Sequence, residues 1–152
     1  MQDNQPCLLL VDDEPANLRV MKQILQNDYR LIFAKNGEEA LRLIEQKKPD
    51  LILLDIMMPG MTGLEVCKKV KQDPENSAIP IIFVTALSDE ADEAQGFDLG
   101  AVDYISKPVS APIVRARVRT HLSLVQADVL RATRLQIIQR LGRAAEYKDN
   151  ET

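Results

Sequence analysis

The feature that constrains this chain most is a regular alternation of short apolar runs with amphipathic stretches. The apolar runs cover residues 7–11, 29–34, 51–54, 80–84 and 102–105. Each run has the length of a buried strand, and the stretches between them repeat apolar residues at the spacing of one helix face. Strands that alternate with helices in this way predict an α/β fold, with a parallel sheet covered by helices on both faces.

The intervening helices are predicted over residues 15–27, 38–46 and 63–72, with a fourth ending near Gly100 and a fifth beginning near Ser110 and Pro112. Pro15 suits a first helical turn, and Ser88 is the predicted N-cap of the fourth helix. The side chains predicted to face the core are Leu18, Met21, Ile24 and Leu25, then Ala40, Leu41 and Ile44, then Leu64, Cys67 and Val70.

Composition is that of a globular protein: 45% of the 152 residues are hydrophobic and 28% are charged. Cys7 and Cys67 each lie in an apolar pattern and are predicted to be buried thiols, which suits a reducing compartment. Residues 1–6 lack the apolar core of a signal peptide, and no apolar run is long enough to span a bilayer. We therefore expect a cytoplasmic protein without membrane contact.

Charge is distributed unevenly along the chain. Residues 1–112 carry 11 basic and 19 acidic side chains, whereas residues 113–152 carry 8 basic and 4 acidic side chains. A basic tail raises the possibility of nucleic-acid binding, but its arginines are spread along a helical pattern without interleaved aromatic residues. A solvated helix face is the favoured interpretation, and no direct contact with nucleic acid is expected.

Polar residues of particular types stand where the predicted strands end. Asp12 and Asp13 end the first strand, Asp55 the third and Thr85 the fourth, while Lys107 follows the fifth. Open parallel sheets bind their ligands outside the carboxyl ends of the strands, so these side chains are expected to converge on one pocket. Taken singly, each of them has an ordinary structural explanation as a turn, cap or surface residue.

Carboxylates gathered in one pocket repel each other unless a cation neutralises them. Oxygen ligands suit Mg²⁺ or Mn²⁺, and Mg²⁺ prefers sites that a phosphate completes. Lys107 supplies a positive charge and Thr85 a hydroxyl, which together can hold the oxygens of a transferred phosphoryl group. Asp55 can then act as the nucleophile that forms an aspartyl phosphate.

The sequence resembles the receiver domain of bacterial response regulators over roughly residues 6–122. The resemblance is carried by the segments Leu-Leu-Val-Asp-Asp-Glu at 9–14, Asp-Ile-Met-Met-Pro-Gly at 55–60 with Gly63, Val-Thr-Ala at 84–86, and Asp-Tyr-Ile-Ser-Lys-Pro at 103–108. It implies a doubly wound, flavodoxin-like sheet of strand order 2-1-3-4-5. It also implies a signalling domain, rather than an enzyme, that receives its phosphoryl group from a histidine kinase or phosphotransfer protein.

The resemblance assigns roles to individual residues. It implies that Asp55 is the phosphoacceptor, and that Asp13, Asp55 and the backbone carbonyl of Met57 bind the metal directly while Asp12 acts mainly through water. It implies that Thr85, Ala86 and Lys107 bind the phosphoryl group. Thr85 and Tyr104 are the implied switch pair, with the ring turning inward beside the small Ala86 side chain when the threonine moves toward the phosphate.

Other conspicuous side chains are given structural interpretations. His121 lies on the fifth helix, away from the predicted pocket, and is expected to have a surface or packing role. Met57, Met58 and Met61 are expected to pack within their loop.

The fifth helical pattern continues far beyond the predicted domain. No Pro or Gly interrupts residues 113–141, and apolar residues recur at Val125, Val129 and Ala132, then on a neighbouring stripe at Leu130, Ile137, Leu141 and Ala144. One small sheet cannot bury such a helix along its whole length, so we expect residues 1–122 to form the receiver and 123–152 a helical linker that pairs in a homodimer. A long monomeric linker is the alternative.

Residues 137–152 resemble the start of an HD-GYP domain, a metal-dependent phosphodiesterase family that acts on cyclic-di-GMP. The His-Asp and GYP motifs of that chemistry are not in this sequence, so the output domain is expected outside the chain. Two alternatives remain. One is a pseudo-receiver that docks or dimerises without phosphorylation. The other is a small-molecule enzyme on the same scaffold, which the acidic segment after the first strand disfavours because it would repel a cofactor phosphate.

Overall fold

The computed structural model describes residues 4–86 and 90–151, and its elements alternate along the chain as predicted. The strands are β1 (Cys7–Val11), β2 (Arg30–Ala34), β3 (Leu51–Leu54), β4 (Ile81–Thr85) and β5 (Asp103–Ser106). The helices are α1 (Pro15–Leu25), α2 (Gly37–Lys47), α3 (Gly63–Gln72), α4 (Glu90–Asp98) and α5 (Ala111–Glu151). The predicted bounds of β1, β3 and α3 are confirmed, and the others shift by one or two residues.

All five strands are parallel and lie in the order β2-β1-β3-β4-β5. The predicted doubly wound topology is therefore confirmed. The order reverses direction between β1 and β3, which places a switch point beside the carboxyl ends of those strands. The sheet thus provides the crevice in which folds of this kind bind ligands.

The two faces of the sheet bury alternate residues of each strand. Leu9, Ile52 and Phe83 belong to the cluster that packs against α2 and α3, whereas Leu10, Leu53 and Ile82 belong to the cluster that packs against α1 and α5. The helices add apolar residues at the spacing of one face, confirming the burial predicted for Leu18, Met21, Leu25, Ala40, Ile44, Cys67 and Val70. Ile24, Leu41 and Leu64 are partly buried at the edges of these clusters.

Side chains fix the beginnings of two helices. The Asn36 side chain accepts a hydrogen bond from the Glu39 N–H at 2.8 Å, and Thr62 accepts one from the Glu65 N–H at 3.3 Å. These contacts satisfy backbone donors that have no partner inside the helix. The N-cap predicted at Ser88 lies outside the described residues. Both cysteines are buried free thiols, as predicted, and burial raises the pKa of each.

Helix α5 is continuous over a length that the sheet cannot cover. Val114 and Val118 are completely buried against α1 and the sheet, whereas Leu124, Leu130 and Leu135 expose more than half of their surface. The side chains of Val129, Ala132, Ile137, Leu141 and Ala144 lie outside the described part of the chain. Among the helices that are described, none is long and apolar enough to cross a membrane.

Candidate functional site

The carboxyl ends of four neighbouring strands bring the predicted polar residues together. Asp12 follows β1, Asp55 follows β3, Thr85 ends β4 and Lys107 follows β5. The backbone holds these positions, since the Asp55 N–H donates to the Val11 carbonyl at 3.0 Å and the Lys107 N–H donates to the Thr85 carbonyl at 2.9 Å. The backbone hydrogen bonds of the parallel sheet thus continue into the site and fix the backbone positions of Asp55 and Lys107.

Lys107 lies at the centre of the site. Its Nζ is 2.7 Å from Asp12 Oδ2 and 3.1 Å from Asp55 Oδ2, and its side chain is only 18% exposed. Partial burial lowers the pKa of Lys107, but the hydrogen bonds and charges of Asp12 and Asp55 outweigh it and raise that pKa above its usual value. The ammonium group is therefore a permanent cation beside two buried carboxylates.

The oxygens of Asp12 already have several hydrogen-bond donors. Oδ2 receives Lys107, while Oδ1 receives the Glu14 N–H at 2.9 Å and the Asn17 side-chain amide at 3.5 Å. Sequence reasoning did not identify Asn17 as part of this site. The signal that could have indicated Asn17 is a polar residue in the first turn of the helix that follows the Asp pair. Periodicity alone does not show, however, that the Asn17 side chain is directed toward Asp12.

Asp55 is buried at the middle of the pocket. Its Oδ2 accepts from Lys107 and its Oδ1 accepts the Met57 N–H at 3.3 Å. Gly63 at the start of α3 lies so close that an added Cβ would meet the Asp55 carbonyl oxygen at 2.1 Å. Only a residue without a side chain lets α3 approach the backbone of Asp55 this closely. Sequence reasoning gave Gly63 no role in placing the phosphoacceptor.

Three carboxylates of the site are close enough to share a cation. Ligand oxygens of Asp12, Asp13 and Asp55 all lie within 4.8 Å of one another, with Asp13 half-buried and the other two buried. Carboxylate oxygens at this spacing can hold a metal ion, and hard divalent ions such as Mg²⁺ prefer them. The residues therefore fit the metal that the sequence predicted.

The methionine loop after Asp55 is only partly as predicted. Met58 is buried and Met61 packs against the core, but the side chain of Met57 is 62% exposed. The prediction that the Met57 side chain packs within the loop is therefore wrong. The backbone of Met57, rather than its side chain, is held against Asp55, because its N–H donates to Asp55 Oδ1.

The predicted switch residues lie on adjacent strands. Thr85 is completely buried and Ala86 is exposed at the bend that follows β4. Tyr104 is half-buried and packs at the edge of the cluster that contains Phe83, its partner in the register of β4 and β5. The structure thus brings the threonine and the tyrosine onto neighbouring strands at one side of the pocket.

His121 lies away from the pocket and contacts the opposite end of β5. Its Nε2 is 2.9 Å from Asp103 Oδ2, and Arg117 also contacts that carboxylate at 3.1 Å. Burial raises the pKa of Asp103, but hydrogen bonds from His121, the Tyr104 N–H and Arg117 together hold it below its usual value. The packing role expected of His121 is therefore that of fastening α5 to β5.

The family model of the response regulator receiver domain matches residues 8–119. The chain belongs to this family. Receiver domains bind Mg²⁺ through an acidic pocket and interact with histidine kinases or phosphotransfer proteins. They are signalling domains rather than dedicated enzymes. The resemblance inferred from the sequence is thereby confirmed.

Similar proteins carry further domains. The chain is 41% identical over 172 aligned residues to a probable cyclic di-GMP phosphodiesterase of Vibrio cholerae serotype O1, an alignment covering 100% of this chain and 39% of that protein. It is 42% identical over 114 residues to the response regulator PleD of Caulobacter vibrioides, covering 74% of this chain and 25% of PleD. The chain thus spans well under half the length of these relatives.

Solved structures give the same result. A CheY-like receiver domain protein from Methanospirillum hungatei JF-1 superposes with a TM-score of 0.78 at 28% identity, covering 82% of this chain and 99% of the other. The BeF3-activated DrrB receiver domain superposes with a TM-score of 0.71 at 30% identity, covering 78% of this chain and 98% of that one.

Proposed function

We propose that this receiver domain is phosphorylated on Asp55 by a histidine kinase or phosphotransfer protein, and that it thereby regulates an attached output domain. The observation that carries the proposal is the contact of one lysine with two buried carboxylates at the carboxyl edge of the sheet. A cation held there needs no rearrangement to stabilise the charge of an incoming phosphoryl group.

The chemistry follows from the positions of the side chains. One carboxylate oxygen of Asp55 attacks the phosphorus of a phosphohistidine, the new O–P bond forms, and the P–N bond breaks with its electrons returning to the imidazole. Lys107 and the Thr85 hydroxyl bind the phosphoryl oxygens, together with the backbone of Ala86. Partial burial of the pocket strengthens these interactions.

Mg²⁺ or Mn²⁺ is the proposed metal, which when bound would neutralise the carboxylates and the phosphoryl group. Asp13, Asp55 and the Met57 carbonyl would hold it directly. Asp12 would act mainly through water, as the resemblance to receiver domains implies. The half-buried Asp13 supports a direct role because its carboxylate lies beside that of Asp55.

Thr85 and Tyr104 are the proposed switch. A phosphoryl group on Asp55 would draw the Thr85 hydroxyl toward it, and the ring of Tyr104 would move into the space that results, beside the small Ala86. The pairing of β4 with β5 supports this role because it places the two residues on adjacent strands. The face formed by α4, β5 and α5 would then present a different surface.

The output domain is proposed to be an HD-GYP phosphodiesterase. Two features support this: the tail resembles the start of such a domain, and the Vibrio cholerae relative is named as a probable cyclic di-GMP phosphodiesterase. Residues 1–122 would form the receiver and residues 123–152 a helical linker. The exposed leucines of the linker support a homodimer through α5, in a cytoplasmic protein.

Intact-protein mass after incubation with acetyl phosphate tests the central claim. One phosphoryl adduct is expected in the presence of Mg²⁺, none in its absence and none in Asp55→Asn. Asp98→Asn is the matched control, because Asp98 is exposed on α4 and outside the pocket, and it should be phosphorylated normally.

The opposite outcome has a definite meaning. Folded wild-type protein that gains no phosphoryl group in any condition would favour the pseudo-receiver that docks without phosphorylation. Sedimentation of the same samples then tests the dimer: Leu124→Gln with Leu130→Gln should weaken association if α5 pairs with a second copy.

A further inference from the structure

A cavity of about 190 Å³ lies beside the phosphorylation pocket, between α1, the sheet and the loop that follows β5. Most of its lining residues are apolar, and Leu18, Met21, Leu53 and Val84 are buried ones among them. An apolar cavity of roughly 150 Å³ in another protein binds benzene. This cavity therefore has room for a six-membered aromatic ring with a short substituent.

The cavity can be reached from solvent. Val20 on α1 and Pro108 in the loop after β5 both line it, and both are exposed, whereas Val109 beside Pro108 is half-buried. A small molecule can therefore enter past Val20 and Pro108 without unfolding of the sheet or of α1.

The charges on the lining balance each other. Of the lining residues that the structure describes, only Asp12, Asn17 and Lys107 are polar, and only Asp12 and Lys107 are charged. These two have opposite charges and lie 2.7 Å apart. An ionic ligand would give up its hydration without meeting an unpaired charge of opposite sign on the lining. The lining therefore favours a neutral ligand over a cation or an anion.

The same three polar residues offer both donors and acceptors of hydrogen bonds. Lys107 and the Asn17 side-chain amide are donors, and the Asp12 carboxylate is an acceptor. The bond from the Asn17 amide to Asp12 is long, at 3.5 Å, so a ligand group competes with it at little cost. A hydroxyl group both donates and accepts, and it adds no charge. A ligand that fits the whole cavity thus has an apolar body and one hydroxyl.

We propose that this cavity is a binding site for small neutral aromatic alcohols, with the ring between α1 and the sheet and the hydroxyl beside Asp12 and Lys107. The site goes beyond the phosphorylation function, because the ring contacts residues that have no part in phosphoryl transfer. Lys107 also donates to Asp55, so a bound alcohol contacts a side chain that the cavity shares with the phosphorylation pocket.

The test is an NMR titration of the 152-residue chain at neutral pH with three probes of similar shape and different charge: benzyl alcohol, benzylamine and benzoate. Benzyl alcohol should give saturable shifts in the methyl signals of Leu18, Met21 and Val84, with a dissociation constant on the order of 1 mM, as for ligands of so few atoms. The cation and the anion should bind there at least roughly tenfold more weakly, because each loses hydration without meeting an unpaired opposite charge. Either ion binding at these methyl groups as tightly as the alcohol would overturn the proposal. No saturable shift from the alcohol at about ten times that dissociation constant would overturn it as well.

Variants that fill the cavity test whether the alcohol binds inside it. Val109→Phe and Val20→Phe place a ring into or across the space, and Val20 is exposed enough that its replacement should leave the fold intact. Both should weaken the binding of benzyl alcohol at least roughly tenfold, because its ring loses apolar contacts. Val102→Phe is the matched control, exposed and not among the lining residues, and it should bind as the wild type does. Binding that survives both filling variants unchanged would place the alcohol elsewhere on the protein and contradict the proposed site.

Discussion

Helix α5 has a first part, residues 111–122, and a longer second part, which begins at residue 123; the two share a backbone conformation but differ in their surroundings. In the first part, Val114 and Val118 are buried against α1 and the sheet, so tertiary packing stabilises the helix. In the second part, Leu124, Leu130 and Leu135 are exposed, so intrinsic helix propensity and any partner must stabilise it. A helical pattern in the sequence therefore predicts the helix, but it does not show which contacts stabilise that helix.

The largest contrast is expected from matched charge substitutions in the two parts of α5. Val118→Asp places an unpaired charge in the core and should cost at least about 3 kcal/mol of unfolding free energy. Leu130→Asp places the same group in solvent and should change that free energy by no more than about 0.5 kcal/mol. Chemical denaturation of both variants at one low protein concentration measures the difference. Similar losses in both would show that the second part also packs within the monomer.

The same comparison explains which parts of the fold the sequence could predict. β1, β3 and α3 have the predicted bounds because each is a buried apolar pattern that ends at a polar or turn residue. The stripe through Val125, Val129 and Ala132 continues the spacing of Val118, but Val125, the one of these three side chains that the structure describes, is only partly buried, whereas Val118 is completely buried. Periodicity in the sequence predicts which face of a helix would be buried. Whether another element or a partner covers that face depends on the tertiary structure.

The residues of the candidate site also fall into those that the sequence could predict and those that it could not. Asp12, Asp13, Asp55, Thr85 and Lys107 could be predicted because the end of each strand fixes where it lies. The contact of Asn17 with Asp12 and the close approach of Gly63 to Asp55 could not, since both depend on how a helix lies against its neighbour. The roles of these residues in phosphorylation stay predictions.

A second contrast uses glycine-to-alanine substitutions. Gly63→Ala brings a methyl group against the rigid carbonyl of Asp55 and should cost about 1–3 kcal/mol, with slower phosphorylation because Asp55 is displaced. Gly142 lies inside the long α5, where alanine should favour the helix by about 1 kcal/mol. Circular dichroism should show greater helicity for Gly142→Ala, and denaturation should show lower stability for Gly63→Ala. Stabilisation by both would contradict the close approach of α3.

The smallest effect is expected at the contact near the end of the first part of α5. Asp103 holds both Arg117 and His121, so it fastens this end of the first part to β5. Its pKa is lower in the folded protein than the value of 3.8 for the unperturbed group, so the stabilisation it gives is present above that value and disappears as pH falls through the folded-state pKa. Asp103→Asn should therefore cost about 1 kcal/mol near neutral pH, because Arg117 is half exposed and solvent weakens its share.

The pH dependence distinguishes this charge contact from simple packing. The stability difference between wild type and Asp103→Asn should shrink as pH falls below 3.8 and through the lowered pKa of Asp103 in the folded protein, while the exposed control Asp98→Asn should show little difference throughout. Hydrogen exchange in Asp103→Asn should also quicken around His121 before it quickens around Val118, because the boundary between the packed and exposed parts of α5 moves toward the start of the helix. A difference that stays constant over this pH range would mean that the carboxylate acts through its shape, and the boundary would then be set by the apolar contacts of α5 alone.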